Sequence, residues 1–435
     1  MLAREYRSTM HPSMPLAFER ACIVAVASSL LLVGCSTPAP TADPTAAPST
    51  TATIEPSGDG VLRIGDLVPA TGTFQFLSAA QAAGVNMAVK EINDAGGVNG
   101  VPVEVFHADA ADAGTRTVEA SFADLLTKPV DVIIGPSSSV LVERLLPEIV
   151  KAGVPLISPG ATSTVLTGLQ DHGLIHRTVP TYGAQGAALA EVISEKGPVD
   201  VALIAFNDDG SAALRETLTA GLDAAGSTLV ADQTFDAATT DYAPLIQAIV
   251  DAAPAAVVLA SPGHVQEQAK VLIQLLHNAG YGGAKLWLTT QNAADYSQAL
   301  PAGMLTGVNG IIEGYEPDDA FKNRLKQVDG ALVIFRYATE SYDATIIAAL
   351  AAVVAGDDGA SSIAAALQDV SRGGTKCTSY AECLDVLQTQ DDIDYDGVSG
   401  PQNWDDNGDI SPAYYGVFTF NGENKFVFAR GVIVG

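Results

Sequence analysis

Two segments of this chain are built alike: Ile133-Ile134-Gly135-Pro136-Ser137-Ser138-Ser139, and Pro155-Leu156-Ile157-Ser158-Pro159-Gly160-Ala161-Thr162-Ser163. In each, a short apolar run stops at glycine or proline and gives way to small hydroxyl residues. Each therefore reads as a buried strand, a tight turn and the first turn of a helix. Such an arrangement collects free backbone N–H groups and Ser or Thr hydroxyls at the carboxyl edge of a parallel sheet. That edge suits a carboxylate or another small anion.

The flanking sequence repeats this alternation. Strands are expected at residues 61–68, 101–107, 130–134, 154–157 and 174–179, with helices at 76–94, 115–127, 138–152 and 184–196. The Ala95-Gly96-Gly97 step closes the first helix. The alternation then restarts, with strands at 199–205, 229–234, 255–260, 285–289 and 308–314 and helices at 212–225, 242–251 and 265–279. A long helix is expected over 332–355 and two strands at 415–420 and 425–429, separated by the turn signal Asn421-Gly422. Alternating strands and helices imply parallel sheets covered on both faces. The fold class is α/β, with two doubly wound, Rossmann-like lobes and a cleft between their carboxyl edges, where small ligands bind.

Composition narrows the function. At 435 residues the chain exceeds what one core usually holds. Fifty acidic against 22 basic residues leave a net charge of −28, which argues against a nucleic-acid binder. No run of about 20 apolar residues is present. Arg4, Arg7 and Arg20 precede a short apolar run at 21–33, as in a signal peptide. That run ends Leu32-Val33-Gly34-Cys35, similar to a bacterial lipobox, so a leader over 1–34 and lipid on Cys35 are expected. Residues 35–60, rich in Ser, Thr, Pro and Ala, read as a disordered tether. Cys22 leaves with the leader, and Cys377 and Cys383 remain as a disulfide pair.

Motifs for covalent or metal chemistry are missing. There is no GxxxxGK, HExxH, GxGxxG or GxSxG, and the six histidines lack ligand spacing. Asp392-Ile393-Asp394-Tyr395-Asp396-Gly397 opens like a calcium loop, but Asn403 stands where the bidentate Glu belongs. It reads as an acidic surface loop.

In order and spacing, a set of motifs resembles one family. They are Ile64-Gly65…Pro69-Ala70-Thr71-Gly72, Gly96-Gly97-Val98-Asn99-Gly100, Ile134-Gly135-Pro136, Ile157-Ser158-Pro159-Gly160-Ala161-Thr162, Arg177…Pro180…Gln185-Gly186, Ser341-Tyr342-Asp343-Ala344 and Trp404-Asp405-Asp406-Asn407-Gly408-Asp409. The chain is similar to the bacterial leucine/isoleucine/valine-binding proteins of branched-chain amino acid transporters, which have the type I periplasmic binding fold. The resemblance implies three hinge crossings, a first lobe of 61–179 plus 314–413 and a second of 180–313 plus 414–435. It implies ligand contacts from Ser138 and Ser139 to a carboxylate, a Gly160 carbonyl to an ammonium, and Thr162 with Ala161 beside it.

The second lobe departs from the family. Tyr182 stands where many members have an acid, and Gly210 where many have a tyrosine. Thr289-Thr290-Gln291-Asn292 replaces a glutamate that helps hold an ammonium. Tyr182, Gly210, Gln291 and Tyr342 are the expected contacts on that side, with Asp208 or Asp209 as substitutes for the lost acid. The resemblance implies an extracytoplasmic, lipid-anchored solute-binding protein of an ABC importer, without cofactor or enzymatic step. It would take an amino acid or related amide or carboxylate, with a membrane permease as partner. A ligand sensor of the same fold is the alternative, and an amidase-type hydrolase a more distant one, since no nucleophile and base are paired.

Overall fold

The computed structural model describes residues 56–435. The leader, Cys22, Cys35 and the tether through residue 55 lie outside the described residues. The first series runs β1 (Arg63–Val68), α1 (Ser78–Asp94), β2 (Glu104–Asp109), α2 (Thr117–Leu126), β3 (Val132–Ile134), α3 (Ser139–Ala152), β4 (Leu156–Ser158) and β5 (Ile175–Arg177). Its five strands form one parallel sheet in the order β2-β1-β3-β4-β5. β3 and β4 are buried on both faces because helices cover both sides. α1 packs on one face, and Phe122 of α2 with Leu141 and Leu145 of α3 on the other.

The second series runs α4 (Gln185–Ser194), β6 (Asp200–Phe206), α5 (Asp209–Ala224), β7 (Thr228–Phe235), α6 (Ala243–Ala252), β8 (Ala256–Ala260), α7 (Gln266–Asn278), β9 (Leu286–Leu288) and β10 (Asn309–Glu313). α8 (Asp319–Val328), α9 (Ala338–Ala355) and α10 (Ala360–Ala366) follow. Next come β11 (Thr375–Cys377), α11 (Tyr380–Leu387), β12 (Ile393–Gly397), β13 (Gly400–Pro401), β14 (Ala413–Phe420) and β15 (Phe426–Val434). The second sheet has seven strands in the order β15-β14-β10-β9-β8-β6-β7. β14 and β15 are its antiparallel members, so the chain's last hairpin extends the second lobe's sheet. The chain is thus an α/β protein of two lobes, and the turn Thr164–Leu166 of the first touches α5 of the second.

Local chemistry sets several helix boundaries. Asp208, Asp318 and Ser379 cap α5, α8 and α11 by accepting the N–H of Ser211, Phe321 and Glu382. Gly153 and Gly356, both left-handed, end α3 and α9. Among the described residues α9 alone is long and apolar enough to cross a membrane, and 83% of it is buried in the core.

Two expectations need correction, and several elements had no counterpart in the sequence reading. The long helix does not start at residue 332 but at Ala338, because Tyr337 takes a left-handed conformation, φ 62°. Asn421-Gly422 is not a two-residue turn: Phe420 pairs with Phe426, and Asn424 supplies the left-handed residue, φ 57°. The small sheet β11-β12-β13 and the helices α10 and α11 were not expected, being too short to carry a pattern, and α8, as long as α2, was not expected either.

The small sheet has its own keystone. Asp343 of α9 accepts the Tyr395 hydroxyl at 2.7 Å, the N–H groups of Val398 and Ser399 at 3.0 and 2.6 Å, and the Ser399 hydroxyl. Cys377 and Cys383 form a disulfide between β11 and α11. In the acidic string, Lys376 Nζ lies 2.9 Å from both Asp394 and Asp396, so an ammonium fills the place a cation would take.

Candidate ligand-binding cleft

The two quoted turns meet at the carboxyl edge of the first sheet. Ser158 ties them together: its hydroxyl donates to Pro136 O at 2.7 Å and accepts the Ala161 N–H at 3.1 Å. Ser138 holds the backbone position before α3, but its side chain does not cap the helix. Ser139 Oγ accepts the Ser163 N–H at 3.0 Å, so its hydroxyl joins the two turns. Arg177, 3% exposed, holds the second turn in shape. Its guanidinium donates to Ala161 O at 3.0 Å, Ser163 O at 2.8 Å and Thr167 Oγ1 at 2.9 Å, and pairs with Asp409.

The chain then crosses to the second lobe. The Tyr182 N–H donates to Thr162 O at 2.7 Å, while its hydroxyl lies 3.1 Å from Thr289 Oγ1. Its ring covers Gly210, where an added Cβ would lie 3.3 Å from the ring. The Tyr182 ring thus occupies the space that a side chain at position 210 would need. Burial pushes the Tyr182 phenol up, so it stays neutral and able to donate.

Behind Tyr182 runs a buried polar seam. Gln185 Nε2 donates to Thr290 Oγ1 at 2.9 Å and to Glu313 Oε2 at 2.7 Å, and Thr290 donates to the same carboxylate. Glu313, the last residue of β10, is 2% exposed, and burial raises its carboxyl. Arg336 Nη2 lies 3.8 Å from Glu313 Oε1 and donates to the Tyr337 hydroxyl at 3.1 Å. The Tyr337 ring reaches the cradle, lying 3.2 Å from where a Gly160 Cβ would sit. The Ser137 Cβ lies 2.7 Å from that same point, and the Ser137 hydroxyl donates to Gln81 Oε1 at 3.1 Å. Position 160 is thus closed to any side chain.

The structure brings Ser139, Gly160, Ala161, Thr162, Tyr182 and Gly210 into one patch, with Ser138 at its edge. It does not bring in the other two. Gln291 is exposed, its Oε1 over Gly263. Tyr342, expected near the cleft, instead packs between helices: its hydroxyl donates to Glu91 of α1 at 2.6 Å and its ring meets Phe321 of α8 edge-on. A helical period placed it on an inward face but could not say which neighbour that face meets. Asp208 spends its carboxylate capping α5. The sequence reading missed Gln81, Glu313, Arg336 and Tyr337, and named Ser137 and Arg177 in motifs without giving them a place in the site. Arg336 and Tyr337 were hidden inside the overextended helix, where the strained residue left no local signal.

The family model for periplasmic binding proteins matches residues 61–375. The chain is 26% identical over 351 residues to the chemotactic signal transduction system substrate-binding protein BasB of Halobacterium salinarum, covering 78% of this chain and 82% of that one. It is 25% identical over 363 residues to the leucine-specific-binding protein of Salmonella typhimurium, covering 80% and 87%. Its fold matches that of the branched-chain amino acid transporter substrate-binding protein LivJ of Streptococcus pneumoniae in complex with isoleucine. The TM-score is 0.59 at 21% identity, covering 86% of this chain and 99% of that one. Two α/β lobes, a hydroxyl-lined turn pair between them and a family match over most of the chain lead to one conclusion: this chain belongs to the periplasmic binding protein family.

Proposed function

We propose that this protein is a solute-binding component of an ABC importer, capturing a small carboxylate-bearing ligand between its lobes and delivering it to a membrane permease. In this reading the lobes divide as 61–179 with 314–413 and 180–313 with 414–435, joined by hinges that close on the ligand. The leader is 1–34, lipid on Cys35 anchors the chain, and the tether at 35–60 keeps it near the permease, raising the effective concentration. The observation that carries the proposal is the cradle itself. The α3 N-terminus, the Ser139 hydroxyl and the Thr162 turn converge beside a tyrosine from the lobe crossing. The named relatives, binding proteins for amino acids or for chemotaxis, support it.

Native mass spectrometry of the purified chain identifies the co-purified ligand, and calorimetry then tests the cradle. Ser139→Ala and Thr162→Ala should each weaken binding by roughly 1–3 kcal/mol, the cost of hydrogen bonds to a charged group left unmade. Unchanged affinity in both variants removes the cradle as the site. A second reading, ligand sensing, has one specific support, the relative BasB and its printed chemotactic role. Normal uptake of the ligand in cells lacking this chain would favour sensing over import.

A further inference from the structure

We infer that the ligand carries a second acidic group and that Arg336 receives it, which makes the solute class a small dicarboxylate; this rests on the cleft being the binding site. Arg336 precedes Tyr337, the one aromatic among the described residues with positive φ apart from histidine. A bulky residue in the left-handed region is held there by its surroundings and is concentrated at functional sites. The turn folds the guanidinium over the Tyr337 ring, 4.9 Å from its centroid, and that ring abuts Gly160 of the cradle.

Arg336, its side chain 35% exposed, has few partners in the protein. Its one hydrogen bond among the described residues goes to the Tyr337 hydroxyl. Its acidic neighbour Glu313 stands at 3.8 Å, beyond hydrogen-bond reach, and the other Glu313 oxygen is already taken by Gln185 and Thr290. Arg336 Nε is buried and has no partner among the described residues. A guanidinium edge with an unclaimed N–H is the part that grips a planar carboxylate in two parallel hydrogen bonds.

A second buried donor points the same way. Gln81 is 1% exposed, its amide oxygen accepts the Ser137 hydroxyl, and its Nε2 has no partner among the described residues. Ser137 and Tyr337 flank Gly160 from two sides. The acceptors of Glu340 and Asp208 are, by contrast, engaged, and Glu313 Oε1 faces only Arg336, at 3.8 Å. The two Glu340 oxygens take the Tyr315 N–H at 2.7 Å and the Thr339 hydroxyl at 2.9 Å, and Asp208 caps α5. Arg336 and Gln81 thus leave two N–H donors without partners among the described residues at the hinge end, and a second acidic group on the ligand engages them.

Calorimetry on the chain from Cys35 onward tests this with unbranched dicarboxylates from malonate to adipate. Each is paired with the monocarboxylate of equal length, and leucine is the zwitterionic control. The best dicarboxylate should bind about tenfold or more tighter than its monocarboxylate partner and than leucine. Arg336→Gln should remove that advantage while leaving monocarboxylate affinity within about threefold. Arg336→Lys, which keeps the charge without the fork, should restore only part of it. Glu313→Gln should tighten dicarboxylate binding by freeing Arg336. Equal affinity for one-acid and two-acid partners, or full dicarboxylate affinity in a folded Arg336→Gln chain, overturns the inference and leaves the cleft reading standing. Absence of binding by every solute overturns both.

Discussion

Asp343 and Glu313 are both shut off from solvent, at 0% and 2% exposure, and burial raises both carboxyls. Their partners differ. Asp343 accepts four hydrogen bonds from the small sheet it anchors, from two hydroxyls and two backbone N–H groups. Glu313 has two donors on one oxygen, and its other oxygen faces Arg336 across 3.8 Å. A buried carboxylate whose lone pairs are claimed belongs to the fold, since removing it strands several donors at once. One that faces a loosely held guanidinium leaves that guanidinium able to turn to a ligand's acid instead. The same contrast separates Arg177, fully engaged in shaping the cradle, from Arg336.

The sharpest attack on this contrast is Asp343→Ala. It should lower unfolding free energy in urea by about 3–5 kcal/mol, the cost of breaking a buried charged network. Ligand affinity per folded molecule should be unchanged; a loss under about 1 kcal/mol would show that the carboxylate is not a keystone.

Glu340 gives the next largest effect, through pH. Burial holds its carboxyl up to about 7 against an ordinary 4.5, so folding favours the protonated form. That contribution is complete below the ordinary value and is lost as pH rises through about 7. Between pH 4.5 and 8 the wild type should lose up to ~3 kcal/mol from this group. Glu340→Gln should flatten the slope and be the more stable chain at pH 8, and an unchanged slope would place the titration elsewhere.

Replacing Cys377 and Cys383 together by Ser should cost about 2 kcal/mol, as expected for a cross-link closing a short loop. The bonded chain should be two hydrogens lighter than its reduced form by intact mass. The smallest change belongs to Glu313→Gln, which keeps an acceptor for Thr290 and should alter stability by no more than about 1 kcal/mol. A loss as large as that of Asp343→Ala would erase the distinction between the two acids.

Much of the fold was legible because burial is written locally. Apolar runs such as Val132–Ile134 and Leu156–Ser158 announce doubly covered strands, and Gly153 announces the end of α3. The two hydroxyl turns were legible for the same reason, since their serines and threonine stand next to the strands that carry them. Tyr342 shows the limit. Its period put it on a buried face, but Glu91 and Phe321, which occupy that face, lie on other helices. Arg336 and Tyr337 show it more severely, since a residue held at φ 62° by tertiary packing looks like ordinary helix in sequence.

Taken alone, the amino-acid sequence determined the alternation of strands and helices, the two hydroxyl turns and the family. The alternation and the turns follow from side-chain transfer to the interior and from backbone preferences, which act within a few residues, while the family rests on the motifs and their spacing. Only the tertiary structure decided what faces the turns. Ser137 meets Gln81 across 56 residues, Tyr182 meets Thr289 across 107, and Gln185 meets Glu313 across 128. Such pairings are set by where the lobes are joined and by how each buried polar group finds a partner, and no local pattern encodes either.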